Sequence, residues 1–183
     1  LKLEQLQHSG SFKARGAFSN LVGVAVPEAG VAAASGGNHG AAVAYAARVL
    51  GVPARIFVPS ISSPAKVARI ASYGAMIAQE GANYQECLGF CEAYAKQSGA
   101  MDIHAYNTEV TLNGPGTLAR ELEEQAPALD TVLIAVGGGG LIGGMASWYQ
   151  SKVKIIGVEP VTCNALHAAL GAGAPLAIKP SGL

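Results

Sequence analysis

Short apolar runs alternate with helix-forming stretches along this 183-residue chain, and glycine marks most of the changes from one to the other. Val31 to Ala34 is apolar and ends in Ser35-Gly36-Gly37-Asn38-His39-Gly40. Ala41 to Leu50 then holds strong helix formers and stops at Gly51. The unit recurs as Ala54 to Val58 followed by a helical stretch from Pro64 to Tyr73, with Ser63 as cap and Pro64 at the first helical position. Ala75 to Ala78 precedes a helix from Asn83 to Gln97. Thr131 to Val136 runs into Gly137-Gly138-Gly139-Gly140 and a helix from Leu141 to Gln150, and Val153 to Val158 is a further strand. Elsewhere Leu1 to Glu4 alternates like the end of a strand, Ser11 to Val22 is helical, and Ile103 to Ala105 reads as a short strand. Thr108 to Pro115 reads as a connection to a helix from Gly116 to Gln125. Strands joined by helices through short loops predict an α/β fold with parallel sheets flanked by helices. Ligands on such sheets bind outside the carboxyl ends of the strands, where the turns 35–40 and 137–140 both fall.

Half of the residues are hydrophobic and only 13% are charged, about half the usual share, which points to extensive burial in helix-covered sheets, an oligomer interface, or both. Twelve basic residues balance twelve acidic ones without a cluster, so nothing invites a nucleic acid or an anionic membrane. No run of about 20 apolar residues is free of charges and turn signals, and no signal-peptide pattern opens the sequence. Cys87, Cys91 and Cys163 are few and lack accompanying metal ligands, which predicts free buried thiols in a reducing compartment rather than zinc. The expectation is a cytoplasmic homo-oligomer, dimer or tetramer, without a metal.

Three stretches carry chemistry. Lys13 follows a Ser9-Gly10-Ser11 turn at the start of a helix, where the helix dipole or desolvation lowers an amine pKa and makes it a nucleophile toward carbonyls; the plain alternative is a solvated surface lysine. Gly137 to Gly140 leaves bare N–H groups at a helix start, which suits a phosphate; the alternative is a tight turn packed against a neighbour. The same loop spaces Gly138, Gly140 and Gly143 as a dinucleotide fingerprint with Glu159 about 20 residues on, although several strand-helix units precede it. In the turn from Ser35 to Gly40, Asn38 offers an amide to a ring oxygen and the backbone N–H groups offer a carboxylate site; otherwise Asn38 is a helix cap and His39 is solvated.

Taken together and in this order, Ser9 to Ala17, Ser35 to Gly40 and Gly137 to Leu141, with Tyr73-Gly74-Ala75 and Gly157-Val158-Glu159-Pro160, resemble the pyridoxal-phosphate enzymes related to the tryptophan synthase β chain, in the serine/threonine dehydratase and serine racemase branch. The resemblance implies a fold type II enzyme of two lobes, with residues 31–109 as the small domain and 1–30 and 110–183 as parts of the large one. It implies pyridoxal 5'-phosphate as cofactor and a small amino acid as substrate. Lys13 matches the lysine that condenses with the cofactor aldehyde and then moves the Cα proton. Asn38 matches the residue that bonds the cofactor's phenolic oxygen, and Gly137, Gly138, Gly139, Gly140 and Leu141 match the phosphate loop. Phe12 falls where its ring packs near the pyridine, and Ser35, Gly36, Asn38 and His39 match the turn that grips the substrate carboxylate.

Ala14-Arg15-Gly16 and His39 favour the dehydratase branch over cysteine synthases. Gly36 stands where racemases of the family carry a serine base, which favours elimination over racemisation. Ala165 stands where the branch's cation site has an acid, which argues against that metal even though Glu159 is present. Family members are considerably longer, with an upstream segment and a downstream half bearing the partner of the pyridine nitrogen, so the chain is expected to be incomplete at both ends. The rival readings are a racemase of the same family, a nicotinamide oxidoreductase built on Gly138, Gly140, Gly143 and Glu159, and a noncatalytic relative that binds a phosphorylated small molecule.

Overall fold

The computed structural model describes residues 1–176 together with Ile178 and Ser181. Ala177, Lys179, Pro180, Gly182 and Leu183, inside the expected 110–183 segment, lie outside the described residues. The chain divides into two compact units, Leu1–Gly114 and Pro115–Leu183.

In the first unit the order is α1 (Lys13–Leu21), β1 (Val31–Ala34), α2 (Asn38–Leu50), β2 (Ala54–Val58), α3 (Pro64–Ala71), β3 (Met76–Gln79), α4 (Tyr84–Ser98) and β4 (Met101–Asp102). The four strands form one parallel sheet in the order β3-β2-β1-β4. All four residues of β1 are buried, and the period of two sends them to opposite faces. Val31 and Ala33 pack with Ala17, Leu21, Val43 and Ile70 from α1, α2 and α3. Ala32 and Ala34 pack with Phe57 and with Cys87 and Cys91 of α4. A strand covered on both sides reads as an unbroken apolar run, which Val-Ala-Ala-Ala is. Cys87 and Cys91 are free and buried as expected, and burial pushes the Cys87 thiol up to about 11; Cys163 is free but only half-buried.

In the second unit β5 (Thr131–Ala135) pairs in parallel with β6 (Lys154–Val158), and α6 (Gly140–Tyr149) connects them. Val132 and Ile134 are buried, whereas Leu133 between them is 69% exposed. The Tyr149 hydroxyl donates to the Ala119 carbonyl at 3.2 Å and the Trp148 indole N–H donates to Glu123 at 2.9 Å, which ties α6 to the preceding helix. Among the described residues no helix is long and apolar enough to cross a membrane.

Three local expectations are corrected and one helix is added. Leu1 to Glu4 is not a strand: the chain makes a 3-10 turn at Glu4–Leu6, and the Arg15 guanidinium grips the Glu4 carboxylate at 2.8 and 2.9 Å. The strand expected at Ile103 to Ala105 is Met101–Asp102, because the chain turns away after Ile103, where the His104 ring Nδ1 accepts from the Tyr106 and Asn107 amides. Thr108 to Pro115 is no connection but the front of a single helix, α5 (Glu109–Gln125), with Pro115 inside it. Proline there removes one helical N–H and crowds the carbonyl four residues back. Packing against α1 outweighs that loss: Gly16 and Gly114 bring the two backbones so close that a Cβ on Gly114 would collide with the Gly16 amide nitrogen. Asn20 also donates to the Thr111 hydroxyl at 2.9 Å. Finally, α7 (Ala165–Ala172) is a helix the sequence pattern does not announce, since its cap comes from Glu159 at the end of β6.

Gly114→Ala is expected to destabilise the fold by about 2–3 kcal/mol, because backbone atoms on both sides cannot move aside. Thermal denaturation measures this as a fall of roughly 5–10 °C, and an unchanged midpoint would contradict the close approach of α1 and α5.

Candidate active site

The strand order sets the carboxyl ends of β2, β1 and β4 side by side, so the loops 59–63, 35–37 and 103–107 leave the same edge of the sheet. Lys13 reaches this edge from the first residue of α1. Ser9 (φ 53°) and Gly10 (φ 69°) are both left-handed, which turns the chain sharply before the helix begins. The Lys13 Nζ donates to the Ala105 carbonyl at 2.7 Å and lies 5.2 Å from the Phe12 ring centroid and 5.9 Å from that of Tyr106. No carboxylate pairs with it among the described residues. Burial lowers its pKa from 10.5 to about 8. A charged amine without a counter-charge loses hydration there, so the neutral form gains ground. Lys13 is therefore not a solvated surface residue, and desolvation is the cause of its shift.

The turn after β1 is built by short backbone contacts. The Ser35 amide donates to the Phe57 carbonyl at 2.9 Å, and the Gly37 amide donates to the Ser35 hydroxyl at 3.1 Å. A Cβ on Gly40 would collide with the Ser35 carbonyl oxygen, so glycine lets the first turn of α2 fold down on the loop. Asn38 is the first residue of α2 and not its cap; its side chain is exposed, with no hydrogen-bond partner among the described residues. The first-turn N–H groups of α2 have no helical carbonyl to meet and are open to an anion.

His39 is buried, against the plain alternative of a solvated ring. Its Nε2 lies 2.8 Å from the Ile103 carbonyl, which can only accept, so this nitrogen carries the hydrogen. Burial, aided by the nearby Lys13 charge, holds its pKa near 4 against the opposing effect of the Ile103 bond. The neutral ring pins the start of α2 to the end of β4. Its imidazole is thus committed to the fold, and only the backbone N–H of His39 is left for a ligand.

In the second unit, Gly137 to Gly140 join β5 to α6, and Leu141 follows as the second residue of that helix. Gly139 has φ +85° and needs to be glycine. Nothing lies within 4 Å of a Cβ built on Gly137 or on Gly139, so close packing does not explain them. Backbone N–H groups at the start of a helix without side chains over them are the kind of place an anion can occupy. The dinucleotide reading loses its acid: both Glu159 oxygens accept N–H bonds, from Leu166 at 2.8 Å and His167 at 3.0 Å, and the carboxylate serves as the cap of α7. Among the described residues no three His, Cys, Asp or Glu side chains gather into a metal site.

In the first unit the structure therefore joins Phe12, Lys13, Ser35, Gly36, Asn38 and the His39 amide to one edge of the sheet; the glycine loop occupies the corresponding strand end of the second unit. Ala105 and Tyr106, which hold and cover the Lys13 amine, and Ser62 of the loop after β2 belong to this edge without a sequence signal. His104-Ala105-Tyr106-Asn107 carries neither a glycine signal nor a nucleophile and offered no cue.

The fold is thus α/β, with a half-buried lysine of lowered pKa in the first unit and a glycine-containing turn at a strand end in each unit. Residues 1–182 match the family of pyridoxal-phosphate dependent enzymes, and the chain belongs to that family. It is 41% identical over 182 residues to phenylserine dehydratase of Ralstonia pickettii, covering 96% of this chain and 55% of that protein. It is 36% identical over 178 residues to L-threonine ammonia-lyase of Thermotoga maritima, covering 94% of this chain and 44% of that enzyme. Among solved structures, maize serine racemase superposes with a TM-score of 0.91 at 33% identity, covering 96% of this chain and 55% of that one. The processed form of threonine deaminase isoform 2 from Solanum lycopersicum gives 0.89 at 30% identity, covering 94% and 49%. The chain thus spans about half the length of the curated relatives it matches.

Proposed function

We propose that this protein is a pyridoxal-phosphate ammonia-lyase that converts a small β-hydroxy amino acid to a 2-oxo acid and ammonia. The observation that carries the reading is the Lys13 amine: half-buried, donating to the Ala105 carbonyl and lowered to about pKa 8. Such an amine is neutral often enough to bond a carbonyl and then to act as a general base. The residues fit the group: a Cβ on Gly137 or Gly139 would meet nothing within 4 Å, and the exposed Asn38 amide has no partner among the described residues.

Pyridoxal phosphate, when bound, supplies the electron sink that makes the substrate's Cα proton acidic. The chain supplies the rest. Gly137, Gly138, Gly139, Gly140 and Leu141 would hold the cofactor's phosphate with backbone N–H groups, Asn38 would bond its ring oxygen and Phe12 would pack beside its ring. The amides of Gly36, Asn38 and His39 hold the substrate carboxylate, which turns the Cα–H bond toward Lys13, while the Ser35 amide, expected to share in this, is taken by the Phe57 carbonyl. Lys13 takes that proton, the β-hydroxyl leaves as water, and hydrolysis releases ammonia. Gly36 itself offers no side chain to act as base on the other face. In this reading residues 31–109 form a mobile small lobe whose closure keeps water from the reaction. The low charged fraction supports a homo-oligomer, and the free cysteines a cytoplasmic one.

The test is an absorbance spectrum of the protein mixed with pyridoxal phosphate, followed by 2-oxo acid assays on serine, threonine, 3-hydroxyaspartate and phenylserine. A visible band and one productive substrate are expected. A protein that gives neither would sink the reading.

A further inference from the structure

Position 36 is glycine for a reason that lies in another loop. A Cβ built on Gly36 would collide with the Ser62 hydroxyl oxygen, would stand 2.8 Å from the Ser62 Cβ, and would touch Pro59 Cδ at 3.6 Å. Ser62 belongs to the loop between β2 and α3, where its amide donates to the Pro59 carbonyl at 2.9 Å. Because β2 neighbours β1, this loop meets the Ser35–His39 turn at the carboxyl edge of the sheet. The residue is half-buried, and its hydroxyl has no hydrogen-bond partner among the described residues. Lys13 reaches the turn from the opposite side, through Ala105 after β4. The turn is thus flanked by an amine on one side and an unused hydroxyl on the other. That hydroxyl occupies the volume in which a side chain at 36 would sit.

We propose that Ser62 is a substrate-binding residue of the Ser35–His39 turn, its hydroxyl standing in for the missing side chain of residue 36 and donating to the α-carboxylate of the bound amino acid. The proposal rests on the function proposed above and adds a residue to it. A partnerless donor beside a cradle of N–H groups gains a charge-assisted bond when a carboxylate arrives. The interlock also explains Gly36 without reference to chemistry, since two side chains cannot share the space.

The test uses the pyridoxal-phosphate-loaded protein, titrated with L-alanine, which has a carboxylate and no leaving group, and with L-alaninamide, which lacks the carboxylate. Ser62→Ala is expected to weaken L-alanine binding about tenfold or more and to leave alaninamide within about twofold, as for loss of one hydrogen bond to a charged group. Gly36→Ser alone is expected to lower the thermal midpoint. Gly36→Ser combined with Ser62→Gly, which moves the hydroxyl back onto the turn, is expected to restore both midpoint and alanine affinity. Unchanged alanine affinity in Ser62→Ala, or a Gly36→Ser protein as stable as the parent, overturns the proposal. A parent protein that gives no band with pyridoxal phosphate sinks the cofactor reading and this proposal together, so the two failures are distinct.

Discussion

Under the proposed function, Lys13→Ala is expected to abolish the visible absorbance band with pyridoxal phosphate and to lower 2-oxo acid formation by about 10³-fold or more, since one residue would supply both the anchoring amine and the general base. The same site makes a prediction that needs no cofactor. Lys13 has a folded pKa of about 8 against 10.5 for an ordinary lysine, because burial without a counter-charge penalises its charged form. Between those values the unfolded chain binds a proton that the folded one does not, so stability rises with pH across the window. The gain is complete above 10.5 and is lost as pH falls through 8. Lys13→Met has no such group and should lack this rise. It should also be at least as stable as the parent at pH 7, where the parent carries the full cost of a buried charge. Denaturant titrations of both proteins between pH 7 and 10 measure the difference. Parallel pH profiles would mean that the amine is solvated, and the case for Lys13 as a carbonyl-binding residue would fall with its burial.

What was legible in the sequence was what the backbone decides locally. Val31–Ala34 and Ala54–Val58 are strands with the bounds read from their apolar runs, and Gly51 and Gly99 end their helices in left-handed conformations as a glycine stop should. The positions of the turns followed, and with them the strand ends at which Lys13, Ser35–Gly40 and Gly137–Gly140 belong. What was not legible depends on distant contacts. Pro115 should end a helix, yet α5 runs through it because Gly16 of α1 lies against Gly114. α7 starts without a local cap because Glu159 reaches forward to it. The sequence left His39 between a residue of the carboxylate turn and a solvated first-turn residue, and only the carbonyl of Ile103 after β4 shows that its ring is bonded in the interior. The lowered pKa of Lys13 was read from the sequence through the helix start or desolvation, but what encloses it is a loop about 90 residues away, whose Ala105 and Tyr106 carry no signal of their own. The same distance hid Ser62, which reads as one more polar residue in a serine-rich loop until its hydroxyl is seen to fill the place of a side chain at 36.

Gly137→Asp separates the phosphate role of the glycine loop from any structural one, because the two roles give effects of opposite sign. Position 137 is exposed, and a Cβ there meets nothing within 4 Å, so an aspartate fits without moving a neighbour. A carboxylate close to the start of α6 also favours the helix dipole, so the folded protein should lose no stability and gain up to about 0.5 kcal/mol. A phosphate bound to the same N–H groups would instead face a negative charge at close range. Two unit charges about 4 Å apart repel by about 4 kcal/mol at the effective dielectric of a protein surface, and a phosphate carries more than one. Screening by salt and rotation of the side chain reduce this, and a loss of pyridoxal-phosphate affinity of about 100-fold, or roughly 2.7 kcal/mol, is the expected result. Adding salt should recover part of the loss, which a steric or folding defect would not do. Gly137→Asn, of similar size without the charge, should retain most of the affinity. If Asp and Asn weaken the cofactor equally, the loop is too narrow for any side chain and shape sets the site. If neither weakens it, the phosphate is held elsewhere and the bare amides of 137–140 serve another anion.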